Sequence, residues 1–257
     1  MSDAHLVFDA LGMAYDTSEG ALSALAAVSF AVSRGEFVSI IGPSGCGKST
    51  LLKITLGVVP PTGGAIRIDG RVVAGPQIDI GMVFQTPALP PWRRVLDNVL
   101  LPIEVLDKKP ADYRDKAREL LDLVGLRDFE SRWPRELSGG MKQRVAICRA
   151  LIHDPGLLLM DEPFGALDAM TRERLQAELM RIWEETHKTI LFVTHSIDEA
   201  VLLSDRVVVL SPRPGRVVEE VAIQMDRPRT AETRGTRAFQ DYALHLRQML
   251  GLARGTA

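Results

Sequence analysis

The sequence predicts an α/β fold, and three observations carry that prediction. Apolar runs of strand length alternate along the chain with helical patterns. Two of the runs, Leu157–Met160 and Thr189–Thr194, are nearly all apolar, as parallel strands buried on both faces must be. A third run, Phe37–Ile41, ends at Gly42 in a glycine-rich turn that opens a helix.

Ahead of that turn, Leu6–Tyr15 and Val28–Val32 read as strands of an antiparallel flap, joined by Ala65–Ile68 and Arg71–Val73 across Asp69-Gly70. Ser49–Leu56 reads as the helix after the turn, stopped by Gly57 and by Pro60-Pro61. Residues 87–154 carry helical periodicity and proline punctuation without a strand, which predicts a helical subdomain inserted into the core. After Thr194, Ser196-Ile197-Asp198-Glu199 has the spacing of a capping box. Val207–Leu210 and Val217–Ile223 form a hairpin pattern around Pro212-Arg213-Pro214-Gly215. Residues 226–257 are polar and Arg-rich, with an amphipathic helix over Phe239–Leu250 whose apolar residues are Phe239, Tyr242, Leu246, Met249 and Leu250. Residues 1–257 are expected to form a single domain.

Composition narrows the function. The 257 residues carry 31 Lys+Arg against 33 Asp+Glu, a net charge of -2, which argues against a nucleic-acid binder working by bulk electrostatics. At 46% hydrophobic and 25% charged, the chain is not of disordered composition. Its two cysteines, Cys46 and Cys148, form no disulfide framework and lack metal-ligand spacing. No segment approaches the ~18 apolar residues of a membrane-spanning helix. The N-terminus lacks the basic-then-apolar layout of a secretory signal, so a cytosolic protein is expected.

Three segments carry chemistry. Gly42-Pro43-Ser44-Gly45-Cys46-Gly47-Lys48-Ser49 matches G-x-x-x-x-G-K-[ST] between a strand and a helix. Its glycines let backbone N–H groups wrap phosphate oxygens at the positive end of a helix. Lys48 reaches terminal phosphates there, and the Ser49 hydroxyl suits Mg²⁺. Leu157–Met160 empties into Asp161 and Glu162, a metal ligand and a general base respectively if the phosphate loop lies nearby, a solvated acidic turn if not. Leu137-Ser138-Gly139-Gly140-Met141-Lys142-Gln143-Arg144 is either a second anion-binding helix start or a plain N-cap at Ser138.

The order of these elements resembles the ATP-binding subunit of an ABC transporter from about Leu6 to Ile223, which implies a P-loop NTPase (RecA-like) core with an antiparallel β flap and an inserted helical signature subdomain. Gly42–Thr50 is similar to the Walker A motif, Leu157–Glu162 to Walker B and Leu137–Arg144 to the signature. Val83-Phe84-Gln85 resembles the Q-loop, Ala166-Leu167-Asp168 the D-loop and Thr194-His195 the H-switch, with Tyr15 as the aromatic that stacks on adenine. The resemblance implies a head-to-tail homodimer that sandwiches ATP with Mg²⁺ between one chain's phosphate loop and the other's Ser138-Gly139-Gly140. It implies that Ser49, Gln85 and Asp161 contact the metal, that Asp168 lines the nucleotide, and that His195 binds the γ-phosphate and holds Glu162. Met141 departs from the glutamine of many members, and a thioether does not replace an amide's polar contacts.

Gly81–Gln85 with Leu89–Val99, Phe164–Arg172 and Leu210–Arg216 are similar to the nitrate/sulfonate/taurine branch of importers. That branch implies two permease subunits, an extracytoplasmic solute-binding protein acting indirectly, and a peripheral seat on the cytoplasmic face of the membrane. A different importer branch is the alternative. A soluble, non-transport ABC ATPase is another, although those carry tandem units or long coiled-coil insertions. Trp92, in Pro90-Pro91-Trp92-Arg93-Arg94, is either subdomain core or an aromatic anchor for the permease.

Overall fold

The runs Phe37–Ile41 and Thr189–Val193 are buried at every position, and the sheet of the first part of the molecule is built on them. The computed structural model describes residues 4–18, 20–165 and 167–251; Met1-Ser2-Asp3 and the D-loop residue Ala166 lie outside the described residues. In chain order the elements begin β1 (Ala4–Thr17), β2 (Gly20–Ser33), β3 (Phe37–Ile41), α1 (Lys48–Thr55), β4 (Gly63–Ile68), β5 (Arg71–Val72) and β6 (Ile80–Val83). They continue with α2 (Val95–Val105), α3 (Arg114–Leu123), α4 (Gly139–Leu151), β7 (Leu157–Asp161) and α5 (Ala169–Thr186). They close with β8 (Thr189–Val193), α6 (Ile197–Leu203), β9 (Arg206–Leu210), β10 (Val217–Ala222) and α7 (Arg237–Met249). The backbone divides into two compact units, residues 1–77 with 189–257 and residues 78–188.

In the first unit the expected flap is a four-stranded sheet of order β2-β1-β4-β5, antiparallel throughout. Its long strands run well past Leu6–Tyr15 and Val28–Val32. The pairing of β1 with β2 shifts register four times, and Ala10 and Ala27 take positive φ of 48° and 52°. Three of the four shifts, between Phe8 and Ala14, lie within the expected Leu6–Tyr15, where each bulge breaks the two-residue alternation without ending the pairing. The second set of strands runs β10-β9-β3-β8, with β8 and β9 parallel to β3 and β10 antiparallel to β9.

Only half of the expected capping box forms at α6. Ser196 Oγ accepts from the Glu199 N–H at 3.3 Å, but the Glu199 carboxylate accepts from Thr194 Oγ1 at 2.6 Å instead of reaching back to Ser196. The Ser196 N–H donates to Thr194 Oγ1 at 3.0 Å. Thr194 is buried, and its hydroxyl must find partners of its own. At the C-terminal end α7, capped by Thr236, buries Phe239, Ala243 and Leu246. Met249, read as part of the same apolar face, is 39% exposed.

In the second unit β6 and β7 pair in parallel, Ile80 opposite Leu157 and Val83 opposite Met160. The helices α2, α3 and α4 fall inside residues 87–154, and among the described residues no strand interrupts that stretch. Two elements go beyond the sequence prediction. The strand β6 has four residues and a central Gly81, too few for a pattern. Helix α5 buries Leu175, Leu179, Ile182 and Trp183, an amphipathic stripe within a charge-rich segment.

Candidate functional site

The turn between β3 and α1 bends through two left-handed glycines, Gly45 at φ 77° and Gly47 at φ 98°. A Cβ at Gly47 would stand 2.6 Å from Leu25 Cδ2 and 2.9 Å from the Ala24 carbonyl, so β2 lies directly against the turn. The Cys46 N–H donates to the Pro43 carbonyl at 3.3 Å, and the Cys46 side chain is fully buried. Ser44, Gly45 and Ser49 remain exposed, and Thr50 is half-buried.

Lys48 is 7% exposed, and its Nζ donates to the carbonyls of Gly42 at 2.8 Å and Pro43 at 3.0 Å. Among the described residues no carboxylate lies within ion-pair distance of it. A buried ammonium held by two carbonyls and, at 3.8 Å, by Cys46 Sγ, beside the N–H groups of a helix N-terminus, is a site made for an anion. The residues present therefore fit a nucleotide phosphate.

Two further parts of the first unit border this loop. Tyr15, half-buried on β1, forms a hydrogen bond between its hydroxyl and Thr50 Oγ1 at 3.2 Å. The turn after β9 reaches back to β2, with the Gly215 N–H donating to the Ala24 carbonyl at 2.9 Å and the Ala26 N–H to the Gly215 carbonyl at 3.0 Å. A Cβ at Gly215 would lie 2.1 Å from the Cys46 carbonyl, so this turn presses on the phosphate loop itself. His195 is exposed between β8 and α6, its backbone held by the Thr194–Ser196–Glu199 bonds on either side.

In the second unit Asp161 ends β7 half-buried. Glu162 follows with φ 45°, which turns the chain out of the strand. Gln85 Nε2 then donates to Glu162 Oε2 at 3.2 Å, joining two residues expected to act on the same water. Asp168 caps α5, its carboxylate accepting from the Thr171 N–H at 3.0 Å, and that bond holds its pKa below the usual range. Ser138 does cap α4, Oγ accepting from the Met141 N–H at 3.3 Å. The hydroxyl keeps its own hydrogen to donate, and Ser138 and Gly139 are exposed. A Cβ at Gly140 would meet Thr171 Cγ2 at 2.4 Å, so one threonine abuts the signature glycine and bonds the Asp168 carboxylate. Trp92 is 74% exposed, which removes the subdomain-core alternative.

Sequence reasoning missed Arg229, 7% exposed, whose guanidinium donates to the carbonyls of Val201, Ser204, Ile223 and Met225. It also missed Gln143 and Arg149 on α4, buried at 2% and 8% exposure. In a single sequence a polar residue that faces a carbonyl looks the same as one that faces water.

A strand feeding a left-handed glycine turn, with a buried lysine at the following helix start, defines an α/β protein that binds phosphorylated ligands. The chain belongs to the ABC transporter family, whose model matches residues 25–165. It is 43% identical over 244 residues to the taurine import ATP-binding protein TauB of Jannaschia sp., covering 94% of this chain and 91% of that protein. To the TauB of Rhizobium johnstonii it is 50% identical over 217 residues, covering 84% and 82%. Among solved structures it is similar to a dimeric ATP-binding cassette in a post-hydrolysis state bound to ADP and Pi. There the identity is 34%, the TM-score 0.75, and the coverage 86% of this chain and 100% of that one. The family expected from the motif order and the α/β fold are both borne out. Among the described residues no helix is long and apolar enough to cross a membrane.

Proposed function

We propose that this chain is the ATP-hydrolysing subunit of an importer for taurine or a related small solute of the nitrate/sulfonate/taurine class. It works as a homodimer beneath two permease subunits on the cytoplasmic face of the membrane, with an extracytoplasmic binding protein delivering the solute. No nucleic acid takes part.

The chemistry divides among the chain's own residues. Gly42–Thr50 binds the phosphates through backbone N–H groups, and Lys48 neutralises the terminal ones. The Tyr15 ring, steadied by Thr50, stacks on the base. Ser49, Gln85 and Asp161 would hold Mg²⁺, which would supply positive charge to offset that of the phosphates. Glu162 takes the proton of the attacking water, and Gln85 orients that water beside it. His195 steadies the γ-phosphate, and Asp168 lines the nucleotide. The partner copy's signature segment, by symmetry Ser138-Gly139-Gly140, closes the site with a hydroxyl and helix-start N–H groups.

The observation that supports the hydrolysis reading is the Gln85–Glu162 hydrogen bond, since the residues proposed as water-orienting amide and base are in contact. The import reading is supported by the match to taurine import proteins along 94% of the chain. The test is phosphate release by the dimer assembled with its permease, with taurine-loaded and nitrate-loaded binding protein compared. Mg²⁺-dependent release that rises with one loaded binding protein and disappears in Lys48→Ala supports the proposal. Release absent under all conditions overturns it.

A further inference from the structure

We propose that Gln143 and Arg149 are positioning residues for Gln85, holding from one helix the backbone on both sides of it. The Gln143 amide donates to the carbonyl of Phe84, the residue immediately before Gln85, at 3.3 Å. The Arg149 guanidinium donates to the carbonyl of Ala88, three residues beyond Gln85, at 2.6 Å. Six residues of α-helix advance about 9 Å, a distance the segment from Phe84 to Ala88 easily spans. A third anchor precedes them: a Cβ at Gly81 would stand 2.4 Å from the Ala150 carbonyl, so α4 lies directly on the strand that leads to Gln85.

The contrast in burial gives these bonds their meaning. Phe84, Gln85, Thr86 and Ala88 are exposed, whereas Gln143 and Arg149 are 2% and 8% exposed beneath them. A surface segment with little packing of its own is pinned from below by two buried donors. Arg149 is the costlier of the two. Burial pushes its pKa down, and among the described residues no carboxylate lies within ion-pair distance of it. An apolar side chain at 149 would be easier to bury. What the guanidinium adds is a donor for Ala88. The same helix starts at the Ser138 cap, so one element serves both the signature segment and the segment carrying Gln85.

The proposal rests on Gln85 acting in hydrolysis, and its test separates the two ideas. The full-length dimer is compared as parent, Gln143→Met, Arg149→Met and Arg149→Lys, each with Gln85 intact and in a Gln85→Ala background. With Gln85 intact, Gln143→Met and Arg149→Met should lower kcat about fivefold with KM for ATP unchanged, the scale of one lost hydrogen bond. Arg149→Lys, which keeps a donor, should recover most of the loss. In the Gln85→Ala background neither methionine variant should lower kcat further. Hydrogen exchange across residues 80–88 should rise in both methionine variants. Equal kcat losses in the two backgrounds, no loss with Gln85 intact, or unchanged exchange would each overturn the positioning role. If exchange rises while Gln85→Ala itself keeps the parent kcat, the pinning stands and the hydrolytic role of Gln85 falls. Should the methionine variants fail to fold, Arg149→Lys against parent still decides, through exchange at 80–88.

Discussion

Gln85 and Glu162 share a hydrogen bond, Nε2 to Oε2 at 3.2 Å, although 77 residues separate them in the chain. The contact forms because β6 and β7 are paired in parallel and both end at the same edge of the pair. Strand ends in parallel sheets collect functional side chains for this reason. Glu162 leaves its strand through a positive φ of 45°, and its carboxylate meets Gln85, two residues past the end of the neighbouring strand.

Glu162→Gln should retain ATP binding and lower kcat by at least about a hundredfold, since an amide cannot accept the proton of water. The new amide still has an oxygen to accept from Gln85, so the local geometry survives. Without turnover the nucleotide-bound dimer should accumulate, visible by size-exclusion chromatography with ATP. Phosphate release at the parent rate would remove Glu162 from the role of base.

Gly215→Ala should weaken ATP binding by about tenfold or more while leaving the rest of the fold in place. The added methyl would occupy space 2.1 Å from the Cys46 carbonyl, and that backbone belongs to the phosphate loop. Overpacking of this kind costs about 1–3 kcal/mol, here borne by the loop's geometry. Nucleotide titration by calorimetry measures it, and an unchanged Kd would show that the turn yields in place of the loop.

Arg229→Met should lower the stability of the chain by about 3 kcal/mol, read from the midpoint of urea unfolding. Its guanidinium bonds carbonyls at the end of α6 and in the segment after β10, and removing it leaves buried acceptors unmatched. Burial, with the Arg227 charge nearby, lowers its pKa to about 10, and the group remains cationic at neutral pH. Arg229 sits in the stretch whose sequence suggested only a polar tail. A variant as stable as the parent would mean that the carbonyls find other donors.

Trp92→Ala should leave the melting temperature of the isolated subunit and its basal ATPase unchanged, because the indole is 74% exposed. Its neighbour Arg93 is fixed by a two-pronged pair with Glu104, at 2.8 Å on each arm, so the segment stays ordered without the tryptophan. Co-purification with the permease and solute-stimulated ATPase should both fall, as expected of an exposed aromatic anchor. A large drop in melting temperature, or full stimulation, would count against docking at this residue.

The sequence by itself determined the strands Phe37–Ile41 and Leu157–Met160, the glycine turn between β3 and α1, and the order of motifs, because each is local. A left-handed turn needs glycine at fixed spacing, and a strand buried on both faces needs an unbroken apolar run. Tertiary structure alone decided the rest. It diverted Glu199 from its capping box to a buried threonine. It exposed Trp92, and it gave Arg229, Gln143 and Arg149 their carbonyls. The physical reason is common to all of these. A polar side chain, or an indole, is assigned by the partner or the water it meets across the fold, and no spacing along the chain records that meeting.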